Sequence, residues 1–524
     1  MADATAPDRQ AVHPWLISLS VLAGTFMVVL DTTVVNVSLP NIAGNLSATI
    51  EETTWALTTY LAANAVILPI TGWLARRVGR RRLLLLSVSG FTAASFLCGL
   101  SPTLPFLILC RIVQGITGGV MQPISQAVML ETFPPRERGK AMAIWGIGIV
   151  VAPIIGPVLG GWLTDNYSWR WVFYINIPVG ILSVAMIRAF IFDPAYLTRE
   201  SARADYLGLS LLAIGVASLQ IGLDQGQKED WFSSYWITGL LVTAAIVLTS
   251  FVFYALKARH PVVDLRVFKE STFAMGIVLI TSMGFVMFGG LVLMPVLLQV
   301  LMGYSPLKAG IAMAPRGLGS LVMMPLVGVL MAKGADPRKL LGAGFVIGGF
   351  TFYWLSWLNL QADFWRLFWP QFVQGIGLGM LFVPLTTISM DRIAKSEMGN
   401  ATSLFNLLRN IGGSTGIAIV QTILARDRQV HTNNLISHID PYNPGVQNML
   451  RGLQSAFAAQ GSDVATAADQ ARAALWGLVQ RQASMIAFID AFKLLGFAFL
   501  VIVPLVFLMK RPEYLRRGAS APAE

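Results

Sequence analysis

Apolar runs of about 20 residues, the length a helix needs to cross the hydrocarbon core of a bilayer, recur along the whole chain. They fall at Trp15 to Val37, Thr54 to Leu74, Leu83 to Leu100, Leu104 to Leu130, Ala141 to Leu163 and Trp171 to Phe190. Two more follow at Tyr206 to Leu223 and Tyr235 to Leu256. The last six are Phe273 to Leu301, Leu307 to Met331, Leu340 to Leu358, Leu367 to Met390, Ala401 to Leu424 and Ile486 to Met509. The pattern predicts an all-α polytopic membrane protein with about fourteen transmembrane helices. One long hydrophilic stretch, 425–485, interrupts it. There His438 to Gly445 reads as a turn, with Pro441 and Pro444. Val464 to Ile486 reads as an amphipathic helix with Ala467, Ala471, Leu475 and Leu478 on one face. That helix either folds back as a cap or offers a docking surface, since such a stripe says only that it packs on something.

Lysine and arginine collect in alternate short loops. One side carries Arg76, Arg77, Arg80, Arg81 and Arg82, then Arg136, Arg138 and Lys140, then Arg199 and Arg203, then Lys257, Arg259, Arg266 and Lys269. It continues with Lys333, Arg338, Lys339, Arg392 and Lys395, and with Lys510, Arg511, Arg516 and Arg517 in the tail. The other side holds little beyond Arg170, Lys228 and Arg366. By the positive-inside rule both termini are cytoplasmic, and 425–485 lies on the outer side.

An internal repeat orders these spans. Val113, Gln114, Gly115, Ile116 returns as Val373, Gln374, Gly375, Ile376, each followed by a proline (Pro123, Pro384), and Gly72 has a counterpart in Gly328. Offsets of ~260 residues predict two parallel halves of six spans. The expected organisation is a cytoplasmic N-terminus (1–14), a first half (15–190), a linker with two extra spans (191–270), a second half (271–509) and a cytoplasmic tail (510–524).

Composition sharpens this picture. With 55% hydrophobic and 12% charged residues, the 524-residue chain is too apolar for a soluble globule. Its net charge of +11 sits in the loops, which argues against a nucleic-acid partner. Cys98 and Cys110 lie inside apolar runs, so no disulfide framework or cysteine metal site is implied. His13, His260, His431 and His438 lie outside the runs, which leaves no buried histidine relay and no histidine metal cage. The start before Trp15 lacks signal-peptide architecture, so the first run reads as an uncleaved anchor. The runs supply no converging nucleophiles, metal ligands or paired acids, so neither enzymatic activity nor a cofactor is expected.

Candidate chemistry starts from charge in apolar surroundings. A carboxylate deep in a span is expensive and marks a functional site by default; Asp31 is expected to be the only one here. It lies roughly 7 Å outward of the middle of its run and Arg111 roughly 9 Å outward of the middle of its own, at 1.5 Å per residue. The matching depths predict either a static salt bridge or a proton-coupling pair. Arg316 and Arg409 are further cations at mid-depth. They are either satisfied by interhelical pairing, as Asn406 and Asn410 suggest for Arg409, or they favour amphipathic weak acids in a cavity. Candidate cavity positions are Asn36, Tyr60, Asn64, Gln114, Trp145, Arg316, Asn406 and Arg409, with Phe288 and Met380 as soft packing groups. Finally, Gly148, Ala152, Gly156 and Gly160 recur every four residues beside Pro153 and Pro157. This is a small-residue stripe that lets another backbone approach closely.

The order of residues adds a resemblance. The run from Ala152 through Pro153, Gly156, Pro157 and Gly160 to Gly161 resembles the fifth-span antiporter motif of major facilitator drug efflux pumps, a helix that in that family lies where the two halves meet. The segment from Leu30 to Pro40 resembles the first-span motif of the fourteen-span drug:proton antiporter family. Arg111, Gln114, Gly115, Gly118 and Gly119 resemble its fourth-span motif, whose arginine is assigned to proton transfer. Gly72, Leu74, Arg77, Gly79, Arg80 and Arg81 resemble its basic gating loop, with Arg76 where the superfamily usually has an aspartate, which puts an acidic latch in doubt. The similarity runs from about Trp15 to Phe507 and is greatest to EmrB-type exporters. It implies a major facilitator fold in a bacterial inner membrane and export of hydrophobic drugs driven by the proton-motive force. It also implies a periplasmic adaptor (EmrA-type) and an outer-membrane channel as partners, besides membrane lipid. The rivals are an uptake symporter or facilitator on the same fold, and a non-transporting sensor or scaffold.

Overall fold

The computed structural model describes residues 13–193, 205–259, 261–440 and 442–512. The N-terminal segment before residue 13, Arg199, Arg203, His260, Pro441 and the tail from residue 513 lie outside the described residues. The first half runs α1 (Pro14–Asn45), α2 (Ile50–Ile67), α3 (Thr71–Val78), α4 (Arg80–Gly99), α5 (Leu104–Gly119), α6 (Met121–Thr132), α7 (Arg138–Asn166), α8 (Trp171–Tyr174) and α9 (Asn176–Phe190). Next come α10 (Tyr206–Gln225) and α11 (Tyr235–Lys257). The second half holds α12 (Ser271–Val296), α13 (Pro306–Ala332), α14 (Pro337–Leu355), α15 (Phe364–Ser389), α16 (Met398–Ser437), α17 (Pro444–Ala459) and α18 (Val464–Val506). A helix or broken helix occupies each apolar run. Among the described residues eleven helices are long and apolar enough to cross a membrane, or twelve if α2 and α3 form one span. The other two runs hold α14 and α16, the latter interrupted by Asn406, Arg409 and Asn410.

Prolines explain the breaks. The run Thr54 to Leu74 is bent by 60° between α2 and α3, where Pro69 has no N–H to continue the ladder. By contrast α7 continues through Pro153 and Pro157. The stretch 425–485 differs from the hydrophilic loop expected: α16 runs on to Ser437, and α18 starts at Val464 and continues unbroken into the last span. Backbone groups here are satisfied helically, and the half-buried face of α17 packs on α18. The inserted pair is not peripheral throughout. α10 packs on both α2 and α16, while α11 packs on α10.

Candidate functional site

Asp31 on α1 has no solvent exposure. Its Oδ2 accepts from Arg111 Nη1 at 2.6 Å, and its Oδ1 accepts from Gln114 Nε2 at 3.0 Å and Asn176 Nδ2 at 2.9 Å. Arg111, equally buried, also donates Nη1 to Gln114 Oε1 at 2.7 Å and Nε to the Ala56 carbonyl at 3.2 Å. Its guanidinium carbon stands 4.1 Å from the Tyr60 ring centroid. Asn176 gives a further bond to Ser95 Oγ at 3.0 Å, and Ser95 donates to the Phe173 carbonyl at 2.9 Å. Taking this charge pair out of water is costly, and the Coulomb term offsets that cost only with such hydrogen bonds around it. The arrangement can hold a proton or release it against a fixed positive charge.

Two residues expected in a cavity, Tyr60 and Gln114, thus belong to the Asp31 cluster. Asn176 was not anticipated, although an amide inside the apolar run Trp171 to Phe190 is a visible signal. Asp490 is a second carboxylate inside an expected span, Ile486 to Met509. It is partly exposed and pairs with His431 at 2.9 Å and Lys493 at 3.3 Å.

The repeat extends to these contacts. In the first half a Cβ on Gly115 would strike the Tyr60 carbonyl; in the second, a Cβ on Gly375 would strike the Arg316 carbonyl. Arg111 reaches the Ala56 carbonyl at 3.2 Å, and Gln371 reaches the Ala312 carbonyl at 2.8 Å. Gln371 therefore stands where Arg111 does, Gln374 where Gln114 does, and Arg316 near the place of Tyr60. The second half keeps the scaffold with neutral amides in the ladder.

The remaining cavity candidates are dispersed. Trp145 is fully buried and stacks on Phe382 of the other half at 5.6 Å. Asn406 donates to Gln126 Oε1 at 2.5 Å, and Arg409 donates to Gln122 Oε1 at 3.0 Å, both across the halves. Arg316 is half-buried, Asn64 is half-buried and Asn36 is exposed. No carboxylate partners Arg316 or Arg409 among the described residues.

The glycine stripe of α7 seats α1 rather than the second half. Cβ atoms added at Gly148, Gly156 and Gly160 would meet Leu22, Thr33 and Val34, whereas Gly161 has open space. Ala152 is buried with the stripe, and Pro153 and Pro157 are half-buried. Another face of α7 meets α13: Gly139 packs on Gly328, Gly146 on Met324, Ile154 on Gly317 and Val158 on Gly310.

At the basic-loop end the halves close on each other twice, symmetrically. Gly72 N–H donates to Ser403 Oγ at 3.1 Å, and a Cβ on Gly72 would stand 2.7 Å from the Asn400 nitrogen. Opposite, a Cβ on Gly328 would stand 3.0 Å from the Gly139 carbonyl. In the gating loop Gly79 has φ +92°, a conformation suited to glycine, with Asp193 accepting from Arg81 N at 2.9 Å. Arg80 forms a two-pronged pair with Glu131 at 2.5 and 2.7 Å. Arg77 lies over Trp73, and Arg76 is half-buried. Backbone contact through Gly72 closes this end.

Two parallel six-span bundles that meet around a central seam are the architecture of alternating-access membrane carriers. The profile of the Major Facilitator Superfamily matches residues 21–417, and the chain belongs to that superfamily. It is 38% identical over 517 residues to the fatty acid resistance protein FarB of Neisseria gonorrhoeae, covering 98% of this chain and 99% of that one. It is 37% identical to the multidrug export protein EmrB of Escherichia coli (strain K12), covering 95% of each. In fold it is similar to the human organic anion transporter MFSD10 (TM-score 0.60, 13% identity, 93% of this chain and 99% of that one). The proton:xylose symporter XylE is similar too (TM-score 0.59, 14% identity, 96% and 98%).

Proposed function

We propose that this multi-pass membrane protein exports hydrophobic and amphipathic compounds across a bacterial inner membrane in exchange for protons, with Asp31 as the proton-carrying group. The observation that carries the reading is the fully buried Asp31–Arg111 pair, because a carboxylate held in that setting changes its interactions entirely when it takes a proton. The fold is shared with a symporter and does not set direction. Export is supported by the relatives' names and by identities spread over nearly the whole chain. The basic loops support cytoplasmic termini. Arg316 and Arg409 bias the substrate range toward weak acids, in keeping with a relative named for fatty acid resistance. The helical extension formed by the end of α16, α17 and the start of α18 is assigned as the docking surface for a periplasmic adaptor and outer-membrane channel.

The test is proton movement in acidified inside-out vesicles on adding a hydrophobic drug that does not itself carry protons across the bilayer, with wild type beside Asp31→Asn. Drug-dependent proton release that disappears in Asp31→Asn is the expected result. Full coupling in that variant would sink the assignment, and efflux confined to permanently cationic dyes would refute the weak-acid bias.

A further inference from the structure

Asp31 must be accommodated in two states, as a carboxylate that needs donors and as an acid whose O–H needs an acceptor. Its neighbours differ in their ability to serve both. Arg111 can only donate. Gln114 is locked, because its Oε1 already accepts from Arg111 Nη1 at 2.7 Å and lies 3.6 Å from the Cys98 thiol. Turning that amide over would set its N–H groups against the guanidinium. Asn176 is different. Its Nδ2 carries both of its bonds, to Asp31 Oδ1 at 2.9 Å and Ser95 Oγ at 3.0 Å, while its Oδ1 is buried with no partner. An asparagine amide keeps its outline when turned over about χ2.

We infer that Asn176 is a two-way positioning residue for the proton site: its amide donates to ionised Asp31 and turns over to accept from protonated Asp31. Asp31 and the Ser95 hydroxyl find a partner in both states. With Asp31 ionised, Nδ2 donates to Asp31 and to Ser95, and the Ser95 hydroxyl donates to the Phe173 carbonyl at 2.9 Å. When a proton from the aqueous phase binds Oδ1 of Asp31, the turned amide brings its carbonyl to the place Nδ2 held. It then accepts the new O–H and also the Ser95 hydroxyl, which rotates away from Phe173. The oxygen has two lone pairs for these two donors. The charged or titratable groups that face Asp31 are Arg111 from α5, Tyr60 from α2 and Cys98 from α4. Arg111 cannot accept, and the Tyr60 hydroxyl and the Cys98 thiol, which could serve either way, make no hydrogen bond to Asp31, whose bonds come from Arg111, Gln114 and Asn176. The inference rests on Asp31 as the proton-carrying group and deepens that reading.

The test needs no transported ligand. Infrared titration of the purified full-length protein reads the carbonyl band of protonated carboxyl groups, and Asp31→Asn identifies the band that belongs to Asp31. In Asn176→Leu that band is expected to move to the frequency of a carboxyl group whose O–H has lost its acceptor. Its half-titration point is expected to shift about one unit to higher pH, a tenfold change in proton affinity, because a bond to the charged form is worth more than one to the neutral form. Gln114→Leu should shift the titration without changing the band position. Asn176→Asp keeps the side-chain shape and should share one proton with Asp31, so that a protonated band persists where wild type has none. An Asp31 band unchanged in position in Asn176→Leu, or a wild-type titration in Asn176→Asp, overturns the inference. Absence of any titrating band lost in Asp31→Asn would instead overturn the reading of Asp31 itself.

Discussion

Asp31 and Arg111 are 80 positions apart in the chain and meet at 2.6 Å between α1 and α5, with neither side chain touching solvent. Removing one partner strands the other. Arg111→Gln or Asp31→Asn alone is expected to cost about 3–5 kcal/mol of stability, and the two combined to recover most of that. Unfolding midpoints of the two single variants and the double variant in detergent form the cycle that checks it.

Gly156 brings α7 onto α1 at Thr33, two positions beyond Asp31. A methyl group there must push α1 away from α7, since Thr33 is held by its own bond to the Leu30 carbonyl at 2.9 Å. Gly156→Ala is therefore expected to cut transport roughly tenfold or more at normal membrane insertion, as a displacement of about 1 Å suffices for a large loss. Gly161→Ala, facing open space, should leave it unchanged. Efflux rates at matched expression decide this.

Closure at the basic-loop end depends on Gly72 and Gly328 lying directly against backbone of the other half. Gly72→Val should shift the population toward a state open at that end. A cysteine introduced at Ser403, which bonds Gly72 N–H, would then label faster with a water-soluble maleimide. Unchanged labelling would show that the seam is not the gate.

Helix α10 bridges the halves at the opposite end. Gln220 exchanges bonds with Ser414 at 2.8 and 3.0 Å, Trp231 donates to Thr422 at 2.9 Å, and on the other side Thr58 bonds Asp224. Alternating access requires one of these seams to slip. A disulfide between Gln220→Cys and Ser414→Cys, in a background with Cys98 and Cys110 replaced by alanine, should arrest transport and release it on reduction. Transport undiminished by complete cross-linking would place the slip on the α2 side.

Asp336 caps α14 and pairs with Arg338 at 3.0 Å. Burial alone would raise its carboxyl, but hydrogen bonds from the Arg338 side chain and backbone and the charges of Arg338 and Arg511 outweigh that and hold it below its ordinary value of 3.8. A depressed carboxylate stabilises the fold above that ordinary value, and the contribution fades as pH falls through the lowered one. Asp336→Ala should cost about 1 kcal/mol at neutral pH and nothing further in acid. Unfolding midpoints against pH for both proteins test this.

The repeat of Val113 to Ile116 in Val373 to Ile376, the apolar runs and the basic loops were legible in the chain because each depends on local composition and spacing. So was the cost of an acid at Asp31, whereas the bend at Pro69 was not, since the run Thr54 to Leu74 reads as one span. What also lay beyond the sequence was rotation. Helices apolar on all sides do not declare which face meets which neighbour, so only tertiary packing decided that the stripe of α7 holds α1 while Ile154 and Val158 meet α13. Packing likewise decided that Gln114 joins the carboxylate rather than a cavity, and that Asn176, 145 positions away, donates to it. Apolar length is a property of one segment, whereas a buried hydrogen bond is a property of two, and its geometry exists only once both helices have settled their depth and turn.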